Sequence, residues 1–504
     1  MTEQKPRGAP IRGRLAQGAG LLLAASVLGR VLAMASIAVL GRLLAPEDFG
    51  LIAYATIGAE ILRVTGGRAF TNALIRVPEI DQSHIDTAFT LGVLASFASA
   101  LVLAVAAAPL AAWAATPALG PVLTWLAVIA AVEGLRTPRF TLLARELRFD
   151  WAAAADVFGR VVLYGTAIAL AFAIGDYRAM LAGMVLAAVL GTGLTHLATP
   201  GTLGFSLRRW RDCLGFGGWT MAHRLTAVLN RNIGALFVGS YLGLGALGAY
   251  RIALNLLNQL FQRFTQPIDR MVFAGIAHRA RDRAQTRRAY LDAQALVFGC
   301  MLPAGVGVAL TAPELLRVLA GPQWGAAVPV LQILAPAMAV GLLGAGARGL
   351  LQALGMARLI FLREAGMMVV ALPVLWWGVS RYGVLGAAAA GVVAELVGLA
   401  LLLPIVARQL GGTIGEMLRV GARSALAAGA MTVAVVAFDV FVISADAGRD
   451  FRPALLALGL KAGLGAAVYA VAHLVFWQLA GRPRGFETIF AGLLTSALRR
   501  LRRG

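Results

Sequence analysis

Gly41-Arg-Leu-Leu-Ala-Pro-Glu-Asp-Phe-Gly50, followed by Leu51-Ile-Ala-Tyr-Ala55, joins two long apolar runs. A degraded copy begins at Gly239: Gly239-Ser-Tyr-Leu-Gly-Leu-Gly-Ala-Leu-Gly248, then Ala249-Tyr-Arg-Ile-Ala253. In that register Gly41 meets Gly239, Leu44 meets Leu242, Gly50 meets Gly248 and Ala55 meets Ala253. Both copies lie between segments of membrane length. The pair reads as an internal duplication of a several-helix unit.

The composition names the solvent. Of 504 residues, 59% are hydrophobic and 14% charged, with a mean hydropathy of +0.79. No soluble globular class has that balance. Apolar runs of about twenty residues recur from Gly18 to Trp477. Strand-type alternation is absent, which removes an outer-membrane barrel. The expected fold is therefore an all-α polytopic membrane protein with about 14 transmembrane helices: two six-helix bundles plus two C-terminal helices.

The net charge of +21 does not point to nucleic acid. All but two of the 45 basic residues are Arg, many in short loops where membrane insertion favours them. No RNA- or DNA-binding module accompanies them. Cys213 and Cys300 are too few for a disulfide framework. The five His residues form no ligand-spaced cluster, so no metal and no cofactor is expected.

The chain divides as follows. Residues 1–17 form a basic cytoplasmic tail. The N-lobe spans 18–198, with six helices near 18–40, 51–75, 88–113, 120–141, 151–173 and 178–198. A basic cytoplasmic connector covers 199–215. The C-lobe spans 216–407, with helices near 216–238, 247–275, 290–311, 327–352, 357–378 and 383–407. Two further helices occupy 419–443 and 453–478, within an appendage of 419–478. Residues 479–504 form a basic cytoplasmic tail. Arg145 and Arg148, then Arg208, Arg209 and Arg211, then Arg279, Arg281, Arg283, Arg287 and Arg288 fall in alternate loops. That places both termini in the cytoplasm. One loop departs from the rule: 76–87 sets Glu79, Asp81 and Asp86 against Arg76. An offset of six helices between the copies is even, so the repeat is parallel.

Gly243-Leu-Gly-Ala-Leu-Gly248 fits a dinucleotide-binding pattern, but no strand precedes it and it joins two apolar helices. Its glycines read as a turn at the membrane surface. Glu47 and Asp48 could be taken for a catalytic pair; after Pro46 they read instead as capping the next helix.

Ionisable residues inside spans are costly and are functional candidates by default. The first lobe offers Arg30, Glu60, Arg63, Arg68, Glu133, Arg136, Asp156 and Arg160. The second offers Arg224, Arg231, Arg251, Arg263, Arg363, Glu364, Glu395 and Lys461. Arg136, Arg363, Glu364 and Lys461 read as snorkelling or structural ion pairs. Glu60, Arg63 and Arg68 share one span, the first two at i,i+3. Arg224 and Arg231 share one face, flanked by Asn230 and Asn232. Asn255, Asn258, Gln259 and Gln262 form a polar stripe that lipid would penalise. The expected site is a wet cavity between the lobes, lined by Arg30, Glu60, Arg63, Arg68, Arg224, Asn230, Arg231, Asn232, Arg251, Asn255, Asn258 and Gln262. Guanidinium forks grip phosphate and amides bond sugar hydroxyls, so the lining suits an anionic, hydroxyl-rich ligand. No catalytic residue is expected.

Several stretches resemble one family. Leu40-Gly-Arg-Leu-Leu-Ala-Pro-Glu-Asp-Phe-Gly-Leu51 resembles the signature of bacterial polysaccharide and O-antigen flippases. Asp86-Thr-Ala-Phe-Thr-Leu91 and Arg145-Glu-Leu-Arg-Phe149 resemble positions of their colanic-acid and exopolysaccharide exporter branch. So do Asn230-Arg-Asn232 through Gly239, Leu247-Gly-Ala-Tyr250, Gly321-Pro-Gln-Trp-Gly325 and Leu331-Gln-Ile-Leu334. One departure is Asn232, where the resemblance leads to an expectation of Asp. The family belongs to the multidrug/oligosaccharidyl-lipid/polysaccharide exporter superfamily. The resemblance implies translocation of an undecaprenyl-diphosphate-linked oligosaccharide across the inner membrane by alternating access, for exopolysaccharide, capsule or O-antigen biosynthesis. The polyprenyl tail would stay in lipid at a gap between lobes. Implied partners are the lipid-linked oligosaccharide, membrane lipid, and a polysaccharide polymerase with export machinery; nucleic acid is not among them. Alternatives are a drug or cation antiporter of the same superfamily, a lipid-II-specific relative, and a membrane polymerase or glycosyltransferase.

Overall fold

The computed structural model describes residues 11–65, 70–71, 74, 79–143, 145–146, 148–211, 218–279, 283–344, 346–347, 350–351, 354, 356–441, 451–483 and 485–488. Among them there is no strand. Among the described residues thirteen long helices follow one another, α1 to α13. They are α1 Ile11–Leu43, α2 Pro46–Thr65, α3 Gln82–Trp113, α4 Leu119–Gly134, α5 Phe149–Ile174 and α6 Arg178–Ala198. Then come α7 Gly218–Leu242, α8 Leu244–Arg279, α9 Arg283–Leu310, α10 Val328–Gly341, α11 Ala357–Leu410, α12 Ile414–Phe441 and α13 Phe451–Leu479. Short helices cover Arg139–Leu142 and Ala312–Leu319.

This is an all-helical, multi-pass membrane protein. Nine described helices are long and apolar enough to cross a bilayer. Among them α11 is a hairpin. Gly383 adopts φ 58°, ψ −132° within it, a region open to Gly and strained for other residues. A Cβ on Gly386 would collide with the Gly378 backbone. Only a reversed chain brings those two glycines together. Helices α2, α4, α7 and α8 fall outside the nine: α4 has 16 residues, and the other three carry charges or amides within their apolar runs.

The chain forms two compact units, Met1–Val228 and Leu229–Gly504. The boundary falls inside α7. Within the first unit, α2 packs on α3 and α4, α3 packs on α4, and α4 packs on α6. Within the second, α8 packs on α9 and α10, α9 packs on α10, and α10 packs on α11. The neighbour pattern repeats, as a duplication requires. Helices α12 and α13 pack on each other and on α9.

The two copies of the organising motif turn the chain by different chemistry. In the first, Ala45 precedes Pro46 at the first helical position, where a missing N–H costs nothing. Asp48 then reaches back to accept the Ala45 N–H at 3.1 Å, the return arm of a capping box. Its other oxygen accepts the Tyr177 N–H at 3.1 Å, which ties α2 to the start of α6. Leu40 and Leu44 pack there with Ala167, Ala171 and Ala179. In the second copy the turn is Gly243 at φ 86°, between α7 and α8. Of the glycine-rich stretch, Gly243 alone makes the interhelical turn; Gly245 and Gly248 lie inside α8.

The acidic loop that breaks the charge rule has a structural explanation. Asp81 caps α3, accepting the His84 N–H at 2.9 Å, and meets Arg209 of the connector at 3.3 Å. Asp86 accepts the Gly204 N–H at 2.9 Å. Thr90 accepts the Ser206 N–H at 2.9 Å, and Phe89 lies 5.7 Å from Phe205. Asp86-Thr-Ala-Phe-Thr-Leu91 is therefore the surface on which the basic connector docks.

Candidate functional site

Polar groups inside a bundle must find partners or line a wet space. In the first unit the charged groups pair with one another and line a cavity. A cavity of about 780 Å³ lies among α2, α3, α4, α5 and α6. From α3 come Phe89, Gly92, Ser96 and Ser99, one stripe at spacings of three and four. From α2 comes Arg63; from the last turn of α4 comes Glu133 and, just past its end, Arg136; from α5 come Asp156, Arg160 and Tyr164. Thr71, Thr137, Thr141 and Thr195 add hydroxyls.

Small residues make room for the long cations. A Cβ on Gly29 of α1 would lie 2.7 Å from Arg160 Cδ. One on Gly191 of α6 would touch Arg136 at 3.4 Å. One on Gly134 would overlap Ser96. Gly29 and Gly134 thus leave space for Arg160 and Ser96 that a larger residue would take, whereas Gly191 only borders Arg136.

The charges form two sets. Arg63 Nη2 lies 2.8 Å from Glu133 Oε2, and Arg136 Nη2 lies 3.6 Å from Glu133 Oε1. Glu133 thus holds one guanidinium on each oxygen. On α5, Arg160 Nε lies 3.1 Å from Asp156 Oδ2, one turn apart. Three arginines face two carboxylates, so the described lining carries an excess positive charge.

The expected site residues are distributed as follows. Arg63 lines the cavity. Arg30 and Glu60 are half-buried on α1 and α2 and are not part of its lining; Arg30 donates to Ser26 at 3.5 Å. Arg68 lies outside the described residues. Arg224 and Gln262 lie in α7 and α8, with side chains outside the described residues. In the second unit Asn230 donates to Glu364, at 2.8 Å to its carbonyl and 3.0 Å to Oε2. Glu364 also pairs with Arg363 at 2.8 Å. Arg251 donates to buried Asn232 at 2.6 Å. Arg231 and Asn255 are exposed and Asn258 is half-buried. Lys461 is an interhelical ion pair, 2.7 Å from both Glu314 and Asp439.

Sequence reading placed Glu133, Asp156 and Arg160 among the costly charges but left them out of the site, and took Arg136 for a structural residue. It missed the hydroxyls altogether. The Gly92–Ser96–Ser99 stripe was a visible signal, weak because small polar residues also serve plain helix packing.

The chain matches known proteins in sequence and in fold. The profile of a family described as "Polysaccharide biosynthesis protein" matches residues 39–329, more than half of the chain. The chain is 25% identical to "Succinoglycan biosynthesis transport protein ExoT" of Rhizobium meliloti, over 60% of this chain and 61% of that protein. It is 23% identical to "Teichuronic acid biosynthesis protein TuaB" of Bacillus subtilis, over 56% and 58%. It is 24% identical to "Lipopolysaccharide biosynthesis protein WzxC" of Escherichia coli, over 64% and 67%. The matches thus span less than two thirds of the first two relatives. Among solved structures, "Lipid II flippase MurJ, inward closed conformation" superposes with a TM-score of 0.71, covering 92% of this chain and 100% of that one at 14% identity. An inward-facing "multidrug resistance MATE family transporter of the MOP superfamily" gives 0.55, over 80% and 99% at 16% identity. The fold is that of these polytopic transporters, and the chain belongs to the polysaccharide biosynthesis protein family.

Proposed function

We propose that the first-unit cavity holds the diphosphate headgroup of a lipid-linked oligosaccharide, and that the protein is a flippase, not an enzyme. It carries undecaprenyl-diphosphate-linked repeat units from the cytoplasmic to the periplasmic leaflet of the bacterial inner membrane by alternating access. Both termini lie in the cytoplasm. A polysaccharide polymerase and export machinery act on the delivered units.

The observation that carries this reading is the cavity lining: Arg63, Arg136 and Arg160 beside a bank of hydroxyls, inside a membrane bundle. Guanidinium is the group of choice for phosphate, and hydroxyls suit sugar. The relatives' names supply the class of cargo: succinoglycan, teichuronic acid, lipopolysaccharide and lipid II. A drug or cation antiporter would favour carboxylates over arginines in the cavity, the reverse of what lines it. A polymerase would use surface carboxylates, yet the carboxylate of Asp48 is engaged by two backbone N–H groups.

The test is a leaflet-translocation assay in proteoliposomes with labelled undecaprenyl-diphosphate-linked sugar. The double variant R63A/R136A removes two charge-assisted contacts, each worth ~1.5–3 kcal/mol. Translocation falls at least about tenfold, since ~1.4 kcal/mol is a factor of ten. An unchanged rate overturns the assignment.

A further inference from the structure

We infer that Glu133 is the chamber's resident counter-anion, a carboxylate that occupies Arg63 and Arg136 until a diphosphate displaces it. The inference rests on the headgroup reading given above and adds how that site regulates its own affinity.

Two guanidiniums facing a space inside a bilayer need countercharge, because an uncompensated ion there is costly. Glu133 supplies it in a particular geometry. Its two oxygens serve two different arginines, at 2.8 Å and 3.6 Å. One anion bridging two guanidiniums is also the arrangement a phosphate group adopts.

Three ion pairs of the second unit look different. Glu364, Glu487 and Glu314 have side chains 11%, 6% and 9% exposed, paired with Arg363, Arg423 and Lys461 that are at most 19% exposed. Those pairs are sealed in protein. Glu133 is 22% exposed and Arg63 50% exposed, and both face the cavity. An incoming anion can reach this pair, as it can Arg160 and Asp156 on the same cavity wall, and not those three.

The position of Glu133 also makes it easy to displace. It sits in the last turn of α4, which ends at Gly134. The carbonyl end of a helix disfavours a carboxylate and favours a cation. Glu133 is thus held there by its two arginines, against the local helix field. Arg136, one turn on, is favoured where it stands. When a diphosphate takes the arginines, Glu133 loses the groups that hold it and repels the newcomer. Binding is weakened by that repulsion, and release is helped by it. A carrier that must let go on the far side gains from a built-in competitor.

The closing experiment measures binding of undecaprenyl diphosphate, with undecaprenol as the uncharged comparison, to purified protein in nanodiscs. The Glu133→Gln variant keeps the shape and removes the charge. It binds undecaprenyl diphosphate at least about tenfold tighter than wild type, a shift of ~1.4 kcal/mol, with undecaprenol unchanged. Arg63→Ala binds more weakly. The pair E133Q/R63A is non-additive, because the two side chains share one interaction. Glu133→Ala serves if the Gln variant is not monodisperse, with the same expected direction. Equal or weaker diphosphate binding in a folded Glu133 variant overturns the inference: Glu133 would then merely position Arg63. If wild type binds undecaprenyl diphosphate no better than undecaprenol, the headgroup reading falls, and this inference with it.

Discussion

Asp48 shows how much one side chain can decide. It ties back the residue before α2 and holds the chain entering α6. Asp48→Ala breaks both bonds to a charged acceptor, so a loss of about 2 kcal/mol or more is expected. It appears as a lower melting midpoint of the detergent-solubilised protein. Asp48→Asn keeps one acceptor oxygen and falls between. A larger loss is expected at Trp324, the largest fully buried side chain among the described residues, set in the 3-10 helix Pro322–Ala327 that follows Gly321 at φ 108°. Trp324→Ala costs ~3–5 kcal/mol, read in the same assay. The capping role of Asp48 was legible because Pro46-Glu47-Asp48 is a local pattern. The partner of Arg63 was not. Sequence spacing offered Glu60 at i,i+3, whereas the ion pair that forms runs to Glu133 on another helix. Local rules see neighbours along a helix; the chamber is made of neighbours across helices.

At the scale of elements, the basic connector and the acidic start of α3 form one joint. Arg209 meets Asp81, and Gly204 and Ser206 bond to Asp86 and Thr90. The double variant D81N/D86N frees the connector and speeds trypsin cleavage at Arg208, Arg209 and Arg211 by several-fold. An unchanged rate would mean the joint is held by Phe89, Phe205 and the backbone alone. The joint also has a defined pH response. The Ser83 hydroxyl and the His84 backbone N–H hold the Asp81 carboxyl well below the usual carboxylate range. A lowered native pKa means its contribution is present above the ordinary value of about 3.9 and is lost only as pH falls below that. Trypsin protection, compared at neutral and mildly acidic pH after correction for protease activity, should stay constant. The charge rule flagged this loop as anomalous. Its cause became visible only when the connector was placed against it.

For the whole molecule, the helices that look least like membrane spans carry the expected site, apart from Arg30 on α1. Glu60 and Arg63 lie on α2, Arg231 and Asn232 on α7, and Asn255 and Asn258 on α8; Glu133, outside the expected set, lies in the last turn of the short α4. Polarity that lowers the hydropathy of a span is the same polarity that lines a chamber. The helical class and the duplication were therefore readable from apolar runs and from one repeated motif. The cavity within the first unit was not, because it arises from five helices meeting. The central claim is that this chamber grips negative charge on a lipid headgroup. Its most direct test is translocation by wild-type protein of three polyprenyl carriers bearing the same sugar, linked through diphosphate, monophosphate or a neutral glycoside. The account predicts a rate that falls in that order, with the neutral lipid at background. Translocation of the neutral carrier as fast as the diphosphate would contradict it.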